Sequence, residues 1–189
     1  MSTGQSQVIQ KIRRAADVIR SLERQAPAIA QEAQRLREAL LAGRRVLTCG
    51  NGGSAAEALH LAEELIGKYR ANRRPFPAVC LNADPTAITC IANDYGYNSI
   101  FSRQVEALAA PGDILVAFST SGNSQNITTA LHTARARGAR TVGLLGKSGG
   151  AAAPLCDAAI IVDAQETEHI QEAHQVILHL FLEAVETPE

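Results

Sequence analysis

From Arg44 onward, short apolar runs alternate along the chain with longer stretches in which apolar residues recur every three or four positions. The apolar runs predict five strands, at Val46–Cys49, Ala78–Leu81, Ile114–Phe118, Thr141–Leu145 and Ala159–Val162. The longer stretches predict helices at Ser54–Lys68, Pro85–Asn93, Ile100–Leu108, Ser124–Arg137 and Thr167–Glu186. Strands that are apolar throughout and alternate with helices indicate an α/β fold, a doubly wound parallel sheet covered on both faces.

The residues before this alternation follow a helical pattern in two parts. Apolar residues recur from Val8 to Leu22 and again from Ile29 to Leu41. Pro27 suits the start of the second part and Gly43 its end. The pattern therefore predicts a helical hairpin, or one kinked helix, as an arm of residues 1–43 ahead of an α/β domain of residues 44–189. The apolar face of this arm must be buried, either on its own domain or on another subunit.

Composition excludes several classes of partner. The chain has 189 residues, a net charge of −1 and only 4% aromatic residues, so neither nucleic acid nor a membrane surface is predicted as a partner. The first twenty residues lack an unbroken apolar segment, and no apolar run approaches the ~20 residues of a membrane helix. The four cysteines form no C-x-x-C pair. They are interpreted as small thiols in a reducing compartment, which predicts a cytoplasmic protein.

Two of the predicted strand-to-helix loops combine glycine with hydroxyl side chains. They are residues 50–54, with the sequence GNGGS, and residues 119–124, with the sequence STSGNS. Glycine lets a ligand approach the backbone, and a helix N-terminus attracts anions. Ser54 and Ser124 are also good helix caps, so one such loop alone would indicate an ordinary turn. The four hydroxyls of the second loop favour a phosphate site.

The same loops argue against a nucleotide. Neither the dinucleotide-binding glycine pattern nor the lysine of a P-loop is present, so a small phosphorylated metabolite is the better prediction. The loop Gly146–Gly150 is left with two interpretations, a ligand contact or a mobile turn. Asn93 and Asp94, after a helical stretch, either form a turn or hold sugar hydroxyls.

Two predicted helices carry groups that can bind metal or move protons. His60 and Glu64 lie four residues apart on one helix face, a spacing that suits a divalent metal, although an ordinary ion pair is the commoner reason for it. Three of the five histidines lie in the last helix, at His169, His174 and His179. Spacing there pairs Gln171 with His174, or Gln175 with His179, and does not choose between them.

Six short motifs resemble the sugar isomerase (SIS) domain family and, within it, the phosphoheptose isomerases. They are CGNGGS at 49–54, HLAEEL at 60–65, ANDYGY at 92–97, FSR at 101–103, STSGNS at 119–124 and IQEAH at 170–174. The resemblance covers nearly the whole chain, including the helical arm. It implies a five-stranded parallel sheet and a homotetramer whose sites lie between subunits.

Matched motif by motif, the resemblance also implies roles for individual residues. One zinc ion per subunit would be bound by His60, Glu64, Gln171 and His179, of which Glu64 and His179 would be the acid and base. Substrate phosphate would be bound by Ser54, Ser119, Ser121 and Ser124 with Thr120 nearby, and the sugar by Asn51, Gly52, Gly53, Asn93 and Asp94, together with Glu64 and Gln171. The implied reaction converts sedoheptulose 7-phosphate to D-glycero-D-manno-heptose 7-phosphate through an enediol(ate), with zinc as Lewis acid.

Some positions depart from the family pattern, and rival functions exist for the domain. Ala55-Ala56-Glu57 replaces more polar residues, and Glu168 stands where an aspartate is usual. Related domains also serve as a tetrameric regulator that binds the replication initiator, or as sugar-phosphate sensors. The regulators usually lack the carboxylate and the histidine that are present here as Glu64 and His179, so the enzyme is favoured.

Overall fold

The computed structural model describes residues 3–187, and it confirms the predicted sheet. Five parallel strands are present, β1 (Val46–Gly50), β2 (Ala78–Cys80), β3 (Ile114–Ser119), β4 (Arg140–Gly146) and β5 (Ala158–Val162). Their order in the sheet is β2-β1-β3-β4-β5. After β1 the chain forms β2 at one edge of the sheet, and it then returns past β1 to form β3, β4 and β5 on the other side. The direction in which strands are added therefore reverses between β1 and β3. In open parallel sheets this reversal creates a crevice at the carboxyl ends of the two strands.

Seven α-helices surround the sheet within residues 3–187. They are α1 (Thr3–Ser21), α2 (Ala26–Leu41), α3 (Gly53–Ile66), α4 (Pro85–Tyr95), α5 (Ser102–Leu108), α6 (Gln125–Ala136) and α7 (Thr167–Glu186). Short 3-10 helices also occur at Leu22–Gln25, Tyr97–Ser99 and Gly150–Leu155, and the last two lie outside the predicted helices. No helix in this part of the chain has the length and hydropathy to cross a membrane.

The sheet separates two apolar cores, and the alternation of β3 explains why. Val116 and Phe118 point into one core, which α2, α3 and α7 cover. Leu115 and Ala117 point into the other, which α5 and α6 cover. Because successive side chains of a strand face opposite sides, a strand buried on both faces must be apolar at every position. All six residues of β3 are buried accordingly.

The two N-terminal helices lie on their own domain. Arg140 on β4 donates to the buried carboxylate of Glu32 on α2 through Nε (3.1 Å) and Nη2 (2.9 Å). Helix α1 packs beside α7, where Arg14 forms a 2.6 Å ion pair with Glu166. Val8 and Ile12 nevertheless remain 58% and 64% exposed on α1. The arm is thus docked on the α/β layer while part of its apolar face stays uncovered.

The start of α3 differs from the prediction by one residue. Helix α3 begins at Gly53, with Gly52 (φ +57°) as its N-cap, whereas the sequence placed the start at Ser54. The backbone N–H of Ser54 already donates to the carbonyl of Asn51 (3.0 Å), so the turn closes one residue earlier. Glycine at the cap permits a backbone conformation that other residues rarely adopt. Ser54 consequently lies buried in the first turn and is not the cap.

Candidate active site

The two glycine- and serine-containing loops lie side by side at the β1–β3 crevice. Asn51, directly after β1, and Asn126, in the first turn of α6, exchange two amide hydrogen bonds of 2.9 Å each. The N-termini of α3 and α6 therefore open at the same place. Two helix N-termini with free backbone N–H groups favour an anion. Tyr97 adds a hydrogen bond from its hydroxyl to Asn51 (3.1 Å) and so brings residues 97–99 next to the first loop.

The first loop is fixed from both sides. Asn82, after β2, accepts from the N–H of Gly50 (3.1 Å) and donates to its carbonyl (2.9 Å). A side chain at Gly50 would overlap the backbone of Ser54, so only glycine permits this tight strand-to-helix turn. The loop is therefore held in one shape before any ligand binds.

The second loop leaves part of its hydroxyl set accessible. The buried Ser119 hydroxyl accepts from the N–H of Gly122 (3.0 Å), which closes the turn. Ser121 accepts from the N–H of Asn123 (3.2 Å) and is partly exposed, as is Thr120. Ser124 is the N-cap of α6, yet its side chain makes no capping hydrogen bond. The loop therefore offers hydroxyls that its own backbone does not consume.

The loop after β4 packs against the second loop. Gly149 lies so close to Gly122 that a side chain on Gly122 would overlap the Gly149 carbonyl. Ala152 donates to the carbonyl of Gly122 (2.8 Å), and Ala151 donates to the Asn123 side chain (3.0 Å). Residues 149–152 therefore pack against the second loop, and a ligand contact of residues 146–150 stays a prediction.

Beyond the loops, α3 and α7 bring together three of the residues expected at a metal site. Nε2 of His60 lies 3.6 Å from Oε1 of Glu64 on the same helix. The His60 ring meets the His179 ring of α7 edge to face, with centroids 5.2 Å apart. Glu63, which is exposed, brings a carboxylate oxygen within 4.8 Å of ligand atoms of His60 and Glu64. Residues separated by more than a hundred positions in the chain thus share one small volume.

Gln171 and Gln175 of α7 contact different turns of α3. The Gln171 amide covers Gly53 at the start of α3, so closely that a Cβ on Gly53 would lie 2.8 Å from its Oε1. Gln175 lies further along, where its Oε1 is 2.9 Å from Nδ1 of His60. The spacing of residues on α7 left two pairs open, Gln171 with His174 and Gln175 with His179, and the hydrogen bond that Gln175 makes is with His60. Spacing within one helix cannot reveal which side chain of a neighbouring helix will be met.

The donor set fits a divalent metal of the zinc type. The two imidazoles and the carboxylate that meet here are ligands of the kind that zinc takes. The amide of Gln171, the fourth ligand that the resemblance implies, lies at the start of α3. Because an amide oxygen only accepts, the contact with Gln175 places a hydrogen on Nδ1 of His60, and Nε2 lies on the side of Glu64. A ligating histidine commonly has its other ring nitrogen bound in this way, which fixes the tautomer. Burial, and then the neighbouring His60, lower the pKa of His179 against the opposing effect of Glu64, which favours its neutral form.

A second histidine of α7 is fully buried behind this cluster. His174 bonds through Nε2 to the carbonyl of Leu145 (3.2 Å), and its Nδ1 lies 3.6 Å from the carboxylate of Glu57. Within residues 3–187, neither Glu57 oxygen nor Nδ1 of His174 has a hydrogen-bond partner at normal distance. The sequence had marked Glu57 only as a departure from the family pattern. Its burial was foreseeable from its position seven residues before Glu64, on the inner face of α3.

Three other positions singled out in the sequence lie outside these contacts. Asn93 and Asp94 are in the last turn of α4, exposed, and bonded to each other (2.7 Å). Glu168 is exposed as well and faces Lys11 of α1 at 3.9 Å. Tyr97, in the segment after α4, does contact the first loop, through the hydrogen bond of its hydroxyl to Asn51.

The chain is similar in sequence to proteins named phosphoheptose isomerase. The family model described as SIS domain matches residues 10–146. A phosphoheptose isomerase of Pelobacter propionicus is 48% identical over 160 residues, which are 85% of each chain. The phosphoheptose isomerase of Geobacter sulfurreducens is 47% identical over 177 residues, 93% of this chain and 94% of its own.

The fold comparison agrees with the sequence comparison. A solved phosphoheptose isomerase from Francisella tularensis superposes with a TM-score of 0.94 at 32% identity, covering 98% of this chain and 99% of the other. Such coverage includes the N-terminal helices as well as the α/β layer. The similarity is therefore to a whole protein and not to a shared domain alone.

Proposed function

We propose, since the chain belongs to the phosphoheptose isomerases of the SIS domain family, that it converts sedoheptulose 7-phosphate to D-glycero-D-manno-heptose 7-phosphate. As such it is an aldose–ketose isomerase of heptose biosynthesis. The observation that carries this proposal is that His60, Glu64 and His179 meet between α3 and α7, while the start of α3 belongs to the first of two loops suited to an anion. Sensors need only the loops, whereas an isomerase also needs groups that move protons.

The loops would bind the substrate by its phosphate. The hydroxyls of Ser54, Ser119, Ser121 and Ser124, with Thr120 nearby, are the proposed donors, together with the N-termini of α3 and α6. Asn51, Gly52, Gly53, Asn93 and Asp94 are the proposed sugar contacts, with Glu64 and Gln171 at the reacting end. Phosphate binding remote from the reacting carbons supplies energy for positioning them.

Glu64 and His179 are the proposed acid and base. In the isomerisation a proton leaves C1 of the ketose, an enediol(ate) forms, and a proton is added to C2. Both side chains lie on the same small volume as His60, one from α3 and one from α7. The lowered pKa of His179 keeps its imidazole neutral near pH 7 and so able to accept a proton.

Zinc is the proposed cofactor, one ion per subunit, with His60, Glu64, Gln171 and His179 as its ligands. Bound there, the ion would act as a Lewis acid on the carbonyl and hydroxyl oxygens of the sugar. Gln175 would hold His60 in the tautomer that presents Nε2. The exposed Glu63 is close but is not needed for a four-ligand site.

The proposed assembly is a homotetramer with sites between subunits, and an apolar groove supports it. Helices α1, α2 and α7 enclose a groove of about 910 Å³. Its apolar lining includes Ile19, Leu22, Ile29, Val176 and Leu180. Exposed apolar surface of this extent suits a second copy of the chain. Light scattering on the purified protein tests the assembly, and a monomer at micromolar concentration would contradict it.

A cytoplasmic location is proposed from the cysteines. All four are free thiols, at Cys49, Cys80, Cys90 and Cys156. Burial raises the pKa of Cys49 and Cys80, so these two stay protonated and unreactive. Free thiols of this kind are typical of proteins in a reducing compartment.

The decisive experiment is an isomerase assay with zinc content measured on the same sample. Wild-type protein is expected to bind zinc and to convert sedoheptulose 7-phosphate. Glu64→Gln and His179→Gln should each abolish turnover while phosphate binding and fold persist, and zinc content must be measured in both because losing a ligand weakens metal binding. Absence of turnover with zinc supplied would move the assignment to the replication regulator or the sensor.

A further inference from the structure

A carboxylate at the end of α7 holds the loop that follows α3. The Glu186 side chain is only 6% exposed. It accepts hydrogen bonds from the backbone N–H groups of Tyr69 (2.9 Å), Arg70 (2.8 Å) and Ala71 (2.8 Å). Three consecutive N–H groups on one carboxylate fix the path of this loop, since such charge-assisted hydrogen bonds are strong and directional.

Arg73 completes this arrangement and reaches back to α3. Its Nε donates to Glu186 (3.1 Å), while its Nη2 donates to the carbonyl of Glu64 (2.6 Å) and its Nη1 to that of Leu65 (3.0 Å). The guanidinium thereby satisfies carbonyls at the end of α3 that have no helical partner. We call Glu186 and Arg73 together the loop clamp. It joins the backbone of Glu64 to the end of the helix that carries His179.

Tyr69 is the side chain that the clamped loop presents to the site. Its ring stacks on the imidazole of His179, with centroids 5.5 Å apart and planes inclined by 21°. The Arg70 guanidinium lies 4.7 Å from the centroid of the same tyrosine ring, and Arg70 pairs with Glu183 at 2.9 Å. The Tyr69 ring also packs against the core beneath α3 and α7. Tyr69 therefore has little freedom to move away from His179.

We propose that Tyr69, held by the loop clamp, is a positioning residue that orients the His179 ring for the isomerisation. The inference rests on the proposed role of His179 and extends it to residues that touch neither substrate nor metal. His60 has its own orienting contact, the hydrogen bond to Gln175. His179 has no such hydrogen bond among the described residues, so stacking by Tyr69 and the edge contact of His60 are the protein contacts that restrict its ring plane.

The proposal separates stacking from the tyrosine hydroxyl. Tyr69→Phe keeps the ring and should retain near wild-type kcat, whereas Tyr69→Leu removes the flat surface and should lower kcat. A loss of about 10- to 100-fold is expected, because small misplacements of a catalytic group are costly. KM should change little, because the phosphate loops are not touched. Near wild-type kcat in Tyr69→Leu, or an equal loss in both variants, would overturn the proposal.

A second pair of variants tests the clamp. Glu186→Gln turns an acceptor-only carboxylate into an amide whose NH2 group must face backbone N–H donors, so it should release the loop and lower kcat as Tyr69→Leu does. Glu183→Gln is the matched control, because it removes an ion pair to the same loop from a side chain that is 45% exposed. Its kcat should stay within about twofold of wild type. Equal losses in the two glutamate variants would contradict the clamp.

A spectroscopic measurement keeps the inference testable if catalysis fails. Stacking on Tyr69 places the His179 ring protons in the shielding region of an aromatic ring. In protein labelled at histidine Cε1, the His179 signal, assigned by its loss in His179→Gln, should move downfield in Tyr69→Leu and stay in place in Tyr69→Phe. An unmoved signal in Tyr69→Leu would overturn the contact. Absent isomerase activity in the wild type would instead overturn the proposed function.

Discussion

Gly53→Ala is expected to damage the site without damaging the fold. Gly53 is the first residue of α3 and lies outside the positive-φ region, so alanine can adopt its backbone conformation. Alanine is also the better helix former, by up to about 1 kcal/mol. The added Cβ would, however, lie 2.8 Å from both Cδ and Oε1 of Gln171 and closer still to its Nε2. The clash thus falls on the flexible end of one proposed zinc ligand.

The size of the effect follows from this overlap. Ordinary contacts between such atoms start at about 3.5 Å, so the Gln171 amide must retreat by about 1 Å. A displacement of that size at a reacting centre costs on the order of 100-fold in rate. This corresponds to about 2.7 kcal/mol of transition-state stabilisation. We therefore expect kcat/KM of Gly53→Ala to fall about 100-fold while its melting temperature stays at or above that of the wild type.

The assay is a double-mutant cycle on kcat/KM, with zinc content measured in every variant. If Gly53→Ala acts through the Gln171 side chain, it should cost almost nothing more once Gln171→Ala has removed that side chain. A loss of equal size in both backgrounds would show that the added methyl group blocks the substrate directly. Wild-type kcat/KM in Gly53→Ala would refute the contact itself.

Three further predictions concern stability and are read by chemical denaturation. Arg140→Ala leaves the buried Glu32 carboxylate with only the 3.8 Å contact of Arg35, so the free energy of unfolding should fall by about 2 kcal/mol. His174→Leu removes the imidazole beside the buried Glu57 carboxylate and should lower the free energy of unfolding by about 3 kcal/mol. The loss should be smaller when Glu57→Leu is added. Additive losses in the double variant would mean that the two side chains do not interact. Burial raises the pKa of Glu186, but hydrogen bonds from the N–H groups of residues 69–71 and the charge of Arg73 outweigh it and hold the pKa below the ordinary 4.5. The stability that Glu186 contributes should therefore be complete above pH 4.5 and be lost as the pH falls toward the lowered value, and Glu186→Gln should lack this part of the pH dependence.

The strands were predictable because their burial dictates their composition. A strand covered on both faces, such as β3, is apolar along nearly all of its length, here over residues 114–118, and this signal survives without knowledge of its neighbours. The start of α3 was off by one residue because the choice between Gly52 and Ser54 as the cap depends on backbone geometry. Local pattern thus specifies which elements form, and their ends depend on how the turns close.

The site was predictable only in part, because its contacts cross between helices. His60 and Glu64 are neighbours through helix geometry alone, and the pattern of α3 sufficed to pair them. That His60 would meet Gln175 and His179 depends on the packing of α3 against α7, which no spacing within either helix records. The contact of Tyr69 with His179 was likewise not predictable, because nothing in the sequence around this loop residue indicates that an imidazole lies beside it.

The two loops at the β1–β3 crevice contain no basic residue. Residues 50–54 and 119–124 provide hydroxyls, amides and backbone N–H groups, all of them neutral. Screening by salt weakens attraction between full charges far more than hydrogen bonds to neutral donors. A phosphate bound by these loops would thus be recognised by the arrangement of their neutral donors. Its affinity should change little as the ionic strength rises.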